Sequence, residues 1–94
     1  MPAVTRIGDK DLCHCTPGAR AQGSSNVFAN GKGISRQGDL STTHYLDRNT
    51  THTAAITTGS NTVFVNGKGC GRIGDEISGC TAVAQGSPNV FAGN

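Results

Sequence analysis

The chain has no tryptophan, one tyrosine and three phenylalanines among its 94 residues. Material for a core is therefore thin, and a chain of this length buries only roughly 60–65% of its unfolded surface. Basic residues form no run and the formal net charge is +2. That is not the electrostatic footprint of a nucleic-acid-binding domain, so nucleic acid is not an expected partner. No stretch approaches the length of a membrane span. Met1-Pro2-Ala3 leads into a strand-like stretch with no apolar core of a signal peptide. The expectation is synthesis in a reducing cytoplasm, where four cysteines favour metal binding or free thiols over disulfides. No window sustains a helical period either.

What is plentiful is glycine, fourteen of 94 residues, together with serine, threonine and asparagine. This composition predicts short strands, many turns and a nearly all-β fold. So small a core calls for a staple, either a disulfide or a metal.

An internal repeat organises the chain. Gly59-Ser-Asn-Thr-Val-Phe-Val-Asn-Gly-Lys-Gly-Cys-Gly-Arg-Ile-Gly-Asp75 has an upstream copy, Gly23-Ser-Ser-Asn-Val-Phe-Ala-Asn-Gly-Lys-Gly-Ile-Ser-Arg-Gln-Gly-Asp39. Its front half returns as Gly86-Ser-Pro-Asn-Val-Phe-Ala-Gly-Asn94 and its back half as Val4-Thr-Arg-Ile-Gly-Asp9. Read as a circle, residues 1–94 form a single domain of three units, roughly 2–30, 31–66 and 67–94. Each complete copy predicts a hairpin: Val27-Phe28-Ala29 as outgoing strand, a type I′ turn at Asn30-Gly31, and Gly33–Arg36 as return strand. Asn66-Gly67 is the turn of the second copy. The last hairpin, residues 86–94, has no return strand after it, and residues 2–6 are the natural substitute. The Gly-Asp pairs read as turns. Gly8 to Gly38 spans 30 residues and Gly38 to Gly74 spans 36, a difference that falls in the connections between hairpins.

The repeat also selects candidate ligands. Five residues beyond Asp9, Asp39 and Asp75 stand His14, His44 and Cys80. Around a pseudo-threefold axis these side chains can converge, giving three quarters of a tetrahedral zinc site. His52, in the longest connection, has chain length enough to reach back as the fourth. The expectation is one Zn²⁺ per chain, bound by His14, His44, His52 and Cys80, contributing about 10 kcal/mol or more of apparent binding energy to the fold. Cys13 and Cys15 flank His14 without counterparts in the other units. They read as loop or packing thiols, with replacement of His52 by one of them as the alternative. Cys70 aligns with Val4 and Ile34 and reads as a small buried hydrophobe. Arg6, Arg36 and Arg72 with Asp9, Asp39 and Asp75 read as turn and packing residues, with pairing between units as an option. Gly-Lys-Gly at 31–33 and 67–69 lacks the spacing of a phosphate loop.

Three units of the form G-S-x-x-V-F-x-N-G-K…R-x-G-D, each followed by a His or Cys, resemble the PAAR-repeat family over essentially the whole chain. The name-giving Pro-Ala-Ala-Arg stands here as Ala3-Val-Thr-Arg6, Gly33-Ile-Ser-Arg36 and Gly69-Cys-Gly-Arg72, which marks a PAAR-like member. The resemblance implies a small pointed cone of β-hairpins with a zinc near its tip, held by three His and one Cys. His14, His44, His52 and Cys80 match that set. It further implies that the base caps a trimeric β-helical spike, of the VgrG type in type VI secretion systems or the central spike of a contractile phage tail. One chain would meet one trimer, possibly carrying effector cargo, and the point would be driven mechanically through a target membrane. The product would be assembled at the spike tip and delivered outside the cell or into a target cell. Between Met1 and Asn94 there is no space for an effector domain beside the repeat, so the reading is a stand-alone tip and not an enzyme. The alternatives are a small zinc-dependent hydrolase, for which Asp47 is the nearest carboxylate, and a nucleic-acid-binding zinc module. The first requires an open metal position, and the second lacks paired Cys-x₂-Cys motifs.

Overall fold

The structure is a computed structural model that describes residues 1–12, 18–45, 49–79 and 81–93. Among these the fold is all β, with no helix. Six short strands follow in chain order: β1 Phe28–Ala29, β2 Lys32–Gly33, β3 His44–Tyr45, β4 Thr51–His52, β5 Phe64–Val65 and β6 Lys68–Gly69. They pair as three antiparallel hairpins, β1 with β2, β3 with β4 and β5 with β6. The molecule has one long axis and two nearly equal short ones, 38 × 23 × 21 Å.

Two hairpins come directly from the repeat. In each, an Asn-Gly pair turns the chain with both residues at positive φ, 56° and 77° at Asn30 and Gly31, 55° and 79° at Asn66 and Gly67. These are type I′ turns, whose twist matches that of the strands they join. Before each outgoing strand a serine hydroxyl accepts the amides two and three residues on. Ser24 takes Asn26 and Val27, Ser60 takes Thr62 and Val63, and Ser87 takes Asn89 and Val90.

The third copy pairs residues from the two ends of the chain. Ala3 bridges Phe91 antiparallel, and the Val4 amide donates to Val90 O at 2.9 Å. The same bond joins Ile34 to Val27 and Cys70 to Val63 in the complete copies. The return strand differs in one respect from the sequence reading. β2 ends at Gly33, and beyond it Ile34 and Arg36 bridge to Arg6 and Cys70 of the neighbouring units, while Arg72 bridges Val4. The return segments thus serve each other as much as their own hairpins.

These contacts recur three times in cyclic order. At the centre the Thr5 amide donates to Gly71 O, Gly71 to Ser35 O and Ser35 to Thr5 O, at 3.0, 2.9 and 3.0 Å. This closed ring of backbone bonds satisfies fully buried polar groups without help from water. A second tier is made by the segments after the Gly-Asp turns. Lys10, Leu40 and Glu76 bridge Ala19, Ala55 and Ala82 within units, and Asp11, Ser41 and Ile77 bridge Val83, Arg20 and Ile56 between units.

The core divides accordingly. One cluster is Val4, Ala29, Ile34, Val65, Cys70 and Ala92, and the other is Ala54, Ile56, Ile77 and Val83. Cys70 is buried beside Val4 and Ile34, as its alignment with them requires. Burial pushes its thiol up to about 11, with Arg72 opposing and Asp75 adding to the shift. The phenylalanines are not core residues. Phe28, Phe64 and Phe91 are 57%, 60% and 49% exposed, while the next residues, Ala29, Val65 and Ala92, are buried. Strand alternation turns the smaller side chain inward, where three hairpins crowd together.

Candidate functional site

Each unit carries an arginine and an aspartate across a tight turn. The Asp9 amide donates to Arg6 O at 2.9 Å, and Gly8 takes the turn's positive φ of 92°. Asp9 Oδ2 accepts the Arg6 amide and Nε, both at 2.8 Å, while Oδ1 accepts Nη2 at 2.9 Å. Arg36 with Asp39 and Arg72 with Asp75 repeat all three bonds. These bonds to Asp raise the pKa of Arg6, Arg36 and Arg72, against the opposing effect of burial. The ion pairs therefore lie within units. The remaining nitrogen joins one hairpin to the next within the same unit: Nη1 of Arg6 reaches Asn30 Oδ1, that of Arg36 reaches Asn66 Oδ1 and that of Arg72 reaches Gly93 O, each at 3.0 Å. Every arginine locks its own turn and reaches the end of the next hairpin's outgoing strand.

The Gly-Asp turns launch the segments that lead to the expected ligands. From Asp39 the chain runs through Leu40 and Ser41, bridged to Ala55 and Arg20, into β3. There His44 stands directly opposite His52 of β4 in antiparallel register. The two rings meet edge to face, with centroids 4.5 Å apart. His44 is buried and His52 half-buried. The longest connection, read from sequence as a loop reaching back, holds a hairpin that brings His52 against His44 by strand pairing.

His44 Nδ1 lies 2.9 Å from Thr42 O. A carbonyl can only accept, so Nδ1 carries the proton and, in the neutral ring, Nε2 carries the lone pair. A backbone carbonyl on the far nitrogen is what fixes the tautomer and raises the basicity of a metal-ligating histidine. The donor set thus has the chemistry of a zinc ligand at His44, with a second imidazole beside it.

His14 and Cys80 lie outside the described residues, as do Cys13, Cys15 and Asp47. Among the described residues no three His, Cys, Asp or Glu side chains form a metal-holding group. The two members of the expected set that are described, His44 and His52, are in contact.

Sequence reasoning missed a buried ion pair next to this tier. Arg20 and Asp11 are 1% and 3% exposed. Arg20 Nε and Nη2 donate to the Asp11 carboxylate at 3.1 and 2.8 Å, and Nη1 donates to Asp39 O at 3.0 Å. The bridge pattern aligns Asp11 with Ser41 and Ile77, and Arg20 with Ile56 and Val83. In one unit an opposite-charge pair thus fills positions that another fills with Ile77 and Val83. That pairing of columns was the available signal.

No curated protein matches the chain. The family model for the PAAR motif matches residues 46–94, which contain the second complete hairpin, the shortest connection and the outgoing strand of the third hairpin. With the R-x-G-D turns, the Asn-Gly hairpins and the closing bridge of Ala3 to Phe91, this match shows that the chain belongs to the PAAR-motif family.

Proposed function

We propose that this protein is the tip of the spike of a contractile injection machine, and that it caps and sharpens a trimeric β-helical spike of the VgrG or phage central-spike kind. PAAR-motif membership supports association with the spikes of secretion or phage machinery, in a structural and not an enzymatic role. The observation that carries the finer reading is the cyclic recurrence of contacts within one chain. Thr5, Ser35 and Gly71 close a ring of bonds between the units, and Arg6, Arg36 and Arg72 each reach the next hairpin in the same way. A chain built as three similar units around a pseudo-threefold axis can offer three similar contacts to three identical subunits.

The outward phenylalanines fit that role. Phe28, Phe64 and Phe91 occupy equivalent positions, each about half exposed or more. Aromatic side chains of this size are the usual anchors of a protein interface. In this reading they are three equivalent anchors, one for each spike subunit. The metal belongs to the second tier in this reading: His14, His44, His52 and Cys80 hold one Zn²⁺, which staples the connections of a domain with little core. A closed zinc site of this kind contributes fold stability and leaves no coordination position for a substrate. Assembly takes place in the cytoplasm at the end of the spike, and firing of the machine delivers the tip across the target membrane.

The test is binding to a trimeric spike protein of the same genome. Wild-type protein is expected to co-elute with the trimer, and Phe28→Ser/Phe64→Ser/Phe91→Ser to elute alone while keeping the wild-type circular dichroism spectrum. Failure of the wild type to bind, or undiminished binding by the triple variant, would contradict the proposal.

A further inference from the structure

The tier bearing His44 contains a glycine, Gly18. Its carbonyl accepts the Asp11 amide at 2.9 Å. The equivalent bonds run from Ser41 to Ala54 O and from Ile77 to Thr81 O, at 2.9 and 3.0 Å. The three units thus place Gly18, Ala54 and Thr81 at one position, and two of the three carry a side chain there.

What distinguishes Gly18 is its neighbour. A Cβ built on it would lie 2.9 Å from His44 Nδ1 and 3.3 Å from both Cγ and Cε1 of the same ring. Among the described residues, the three atoms nearest to it all belong to this imidazole. The ring has little freedom to yield. It is buried, its Nδ1 is 2.9 Å from Thr42 O, and the Thr42 amide is itself tied to Ala19 O at 2.8 Å. Across the hairpin the His52 ring packs edge to face against it.

We propose that Gly18 is a positioning residue for the metal centre: its missing side chain is the space in which the His44 imidazole sits with Nδ1–H on the Thr42 carbonyl, which makes Nε2 the nitrogen that would bind the metal. The inference rests on the reading of His44 as a zinc ligand. A methyl group at residue 18 displaces the ring, breaks the Nδ1 bond and costs metal affinity, because loss of the group that orients a ligating histidine weakens binding by about 10–100-fold.

The experiment measures zinc affinity by competition with a chromophoric chelator, for wild type, Gly18→Ala and His44→Ala. The imidazole ¹H–¹⁵N spectrum of each reports the His44 tautomer. The wild type is expected to bind one zinc with His44 protonated at Nδ1. Gly18→Ala is expected to bind at least about tenfold more weakly and to lose that Nδ1–H signature. Equal affinity in wild type and Gly18→Ala, with His44→Ala weakened, overturns the role of Gly18 and leaves the zinc reading standing. No zinc bound by the wild type overturns both. Should Gly18→Ala fold poorly, Gly18→Ala/His44→Ala decides. With the ring gone the double variant should be as stable as His44→Ala alone, and a further loss of stability would show that the methyl group meets something other than His44.

Discussion

Replacing Asp11 with alanine leaves the Arg20 guanidinium buried with no counter-charge. Arg20 is 1% exposed, three of its hydrogen bonds go to Asp11, and the one to Asp39 O is to a neutral carbonyl. Removing one partner of such a pair costs about 3–5 kcal/mol, most of it the desolvation of the charge left behind. A chain of 94 residues has a total stability of only about 5–14 kcal/mol. One kcal/mol shifts the melting midpoint of a domain this size by about 4–8 °C, so Asp11→Ala should lower it by at least about 12 °C. The double substitution Asp11→Leu/Arg20→Met removes both charges and keeps most of the volume, as Ile77 and Val83 do at the equivalent positions. It should recover most of the loss, since apolar replacement of a whole buried pair is often neutral or better. The Asp39 carbonyl keeps the Ile56 amide as a donor in that variant. The assay is urea and thermal unfolding of the three proteins at one fixed zinc concentration, because bound metal shifts apparent stability by mass action. An Asp11→Ala protein within about 1 kcal/mol of wild type would refute the reasoning, as would a double variant no better than the single one.

Three further outcomes follow from the central ring and its surroundings. Thr5 Oγ1 is buried with no hydrogen-bond partner among the described residues, so Thr5→Val should stabilise the protein by about 1 kcal/mol or more, read as a raised urea midpoint. At Gly71 a Cβ would lie 2.8 Å from Ser35 O inside the ring of backbone bonds, and Gly71→Ala should cost about 1–3 kcal/mol in the same assay. The Cys70 thiol, at about 11 against an ordinary 9.0, should resist iodoacetamide in the native protein and react once urea unfolds it. The folded state keeps a proton that the unfolded chain releases, so the contribution is whole below pH 9 and lost as pH rises towards 11. Over that window wild type should lose about 2–3 kcal/mol more than Cys70→Val.

Much of the fold was written in the spacing. The R-x-G-D and Asn-Gly motifs fix turns through local backbone chemistry, which a sequence displays directly, and their triplicate recurrence implies the closing contact of Ala3 with Phe91. Cys70 could be placed because it shares a column with Val4 and Ile34. The phenylalanines were not legible as surface residues, since hydrophobicity points them inward and only the crowding of three hairpins turns Ala29, Val65 and Ala92 in instead. The pairing of Asp11 with Arg20 needed the second tier of bridges, whose register is set by contacts between units and not by any local motif. At the candidate site, the equivalence of His14, His44 and Cys80 was read from their offset. The partnership of His44 with His52 came from strand register in a connection that lacks a repeat to align it. The fit of Gly18 against His44 is steric and leaves no trace in spacing.

In the proposed assembly one chain with three similar units meets one spike of three identical chains. Native mass spectrometry of the complex formed with the spike trimer, using an excess of this protein, tests it most directly. The account predicts a single species with one copy of this chain and one zinc for every three spike chains. Three copies bound per trimer, one on each subunit, or no complex at any ratio would contradict it.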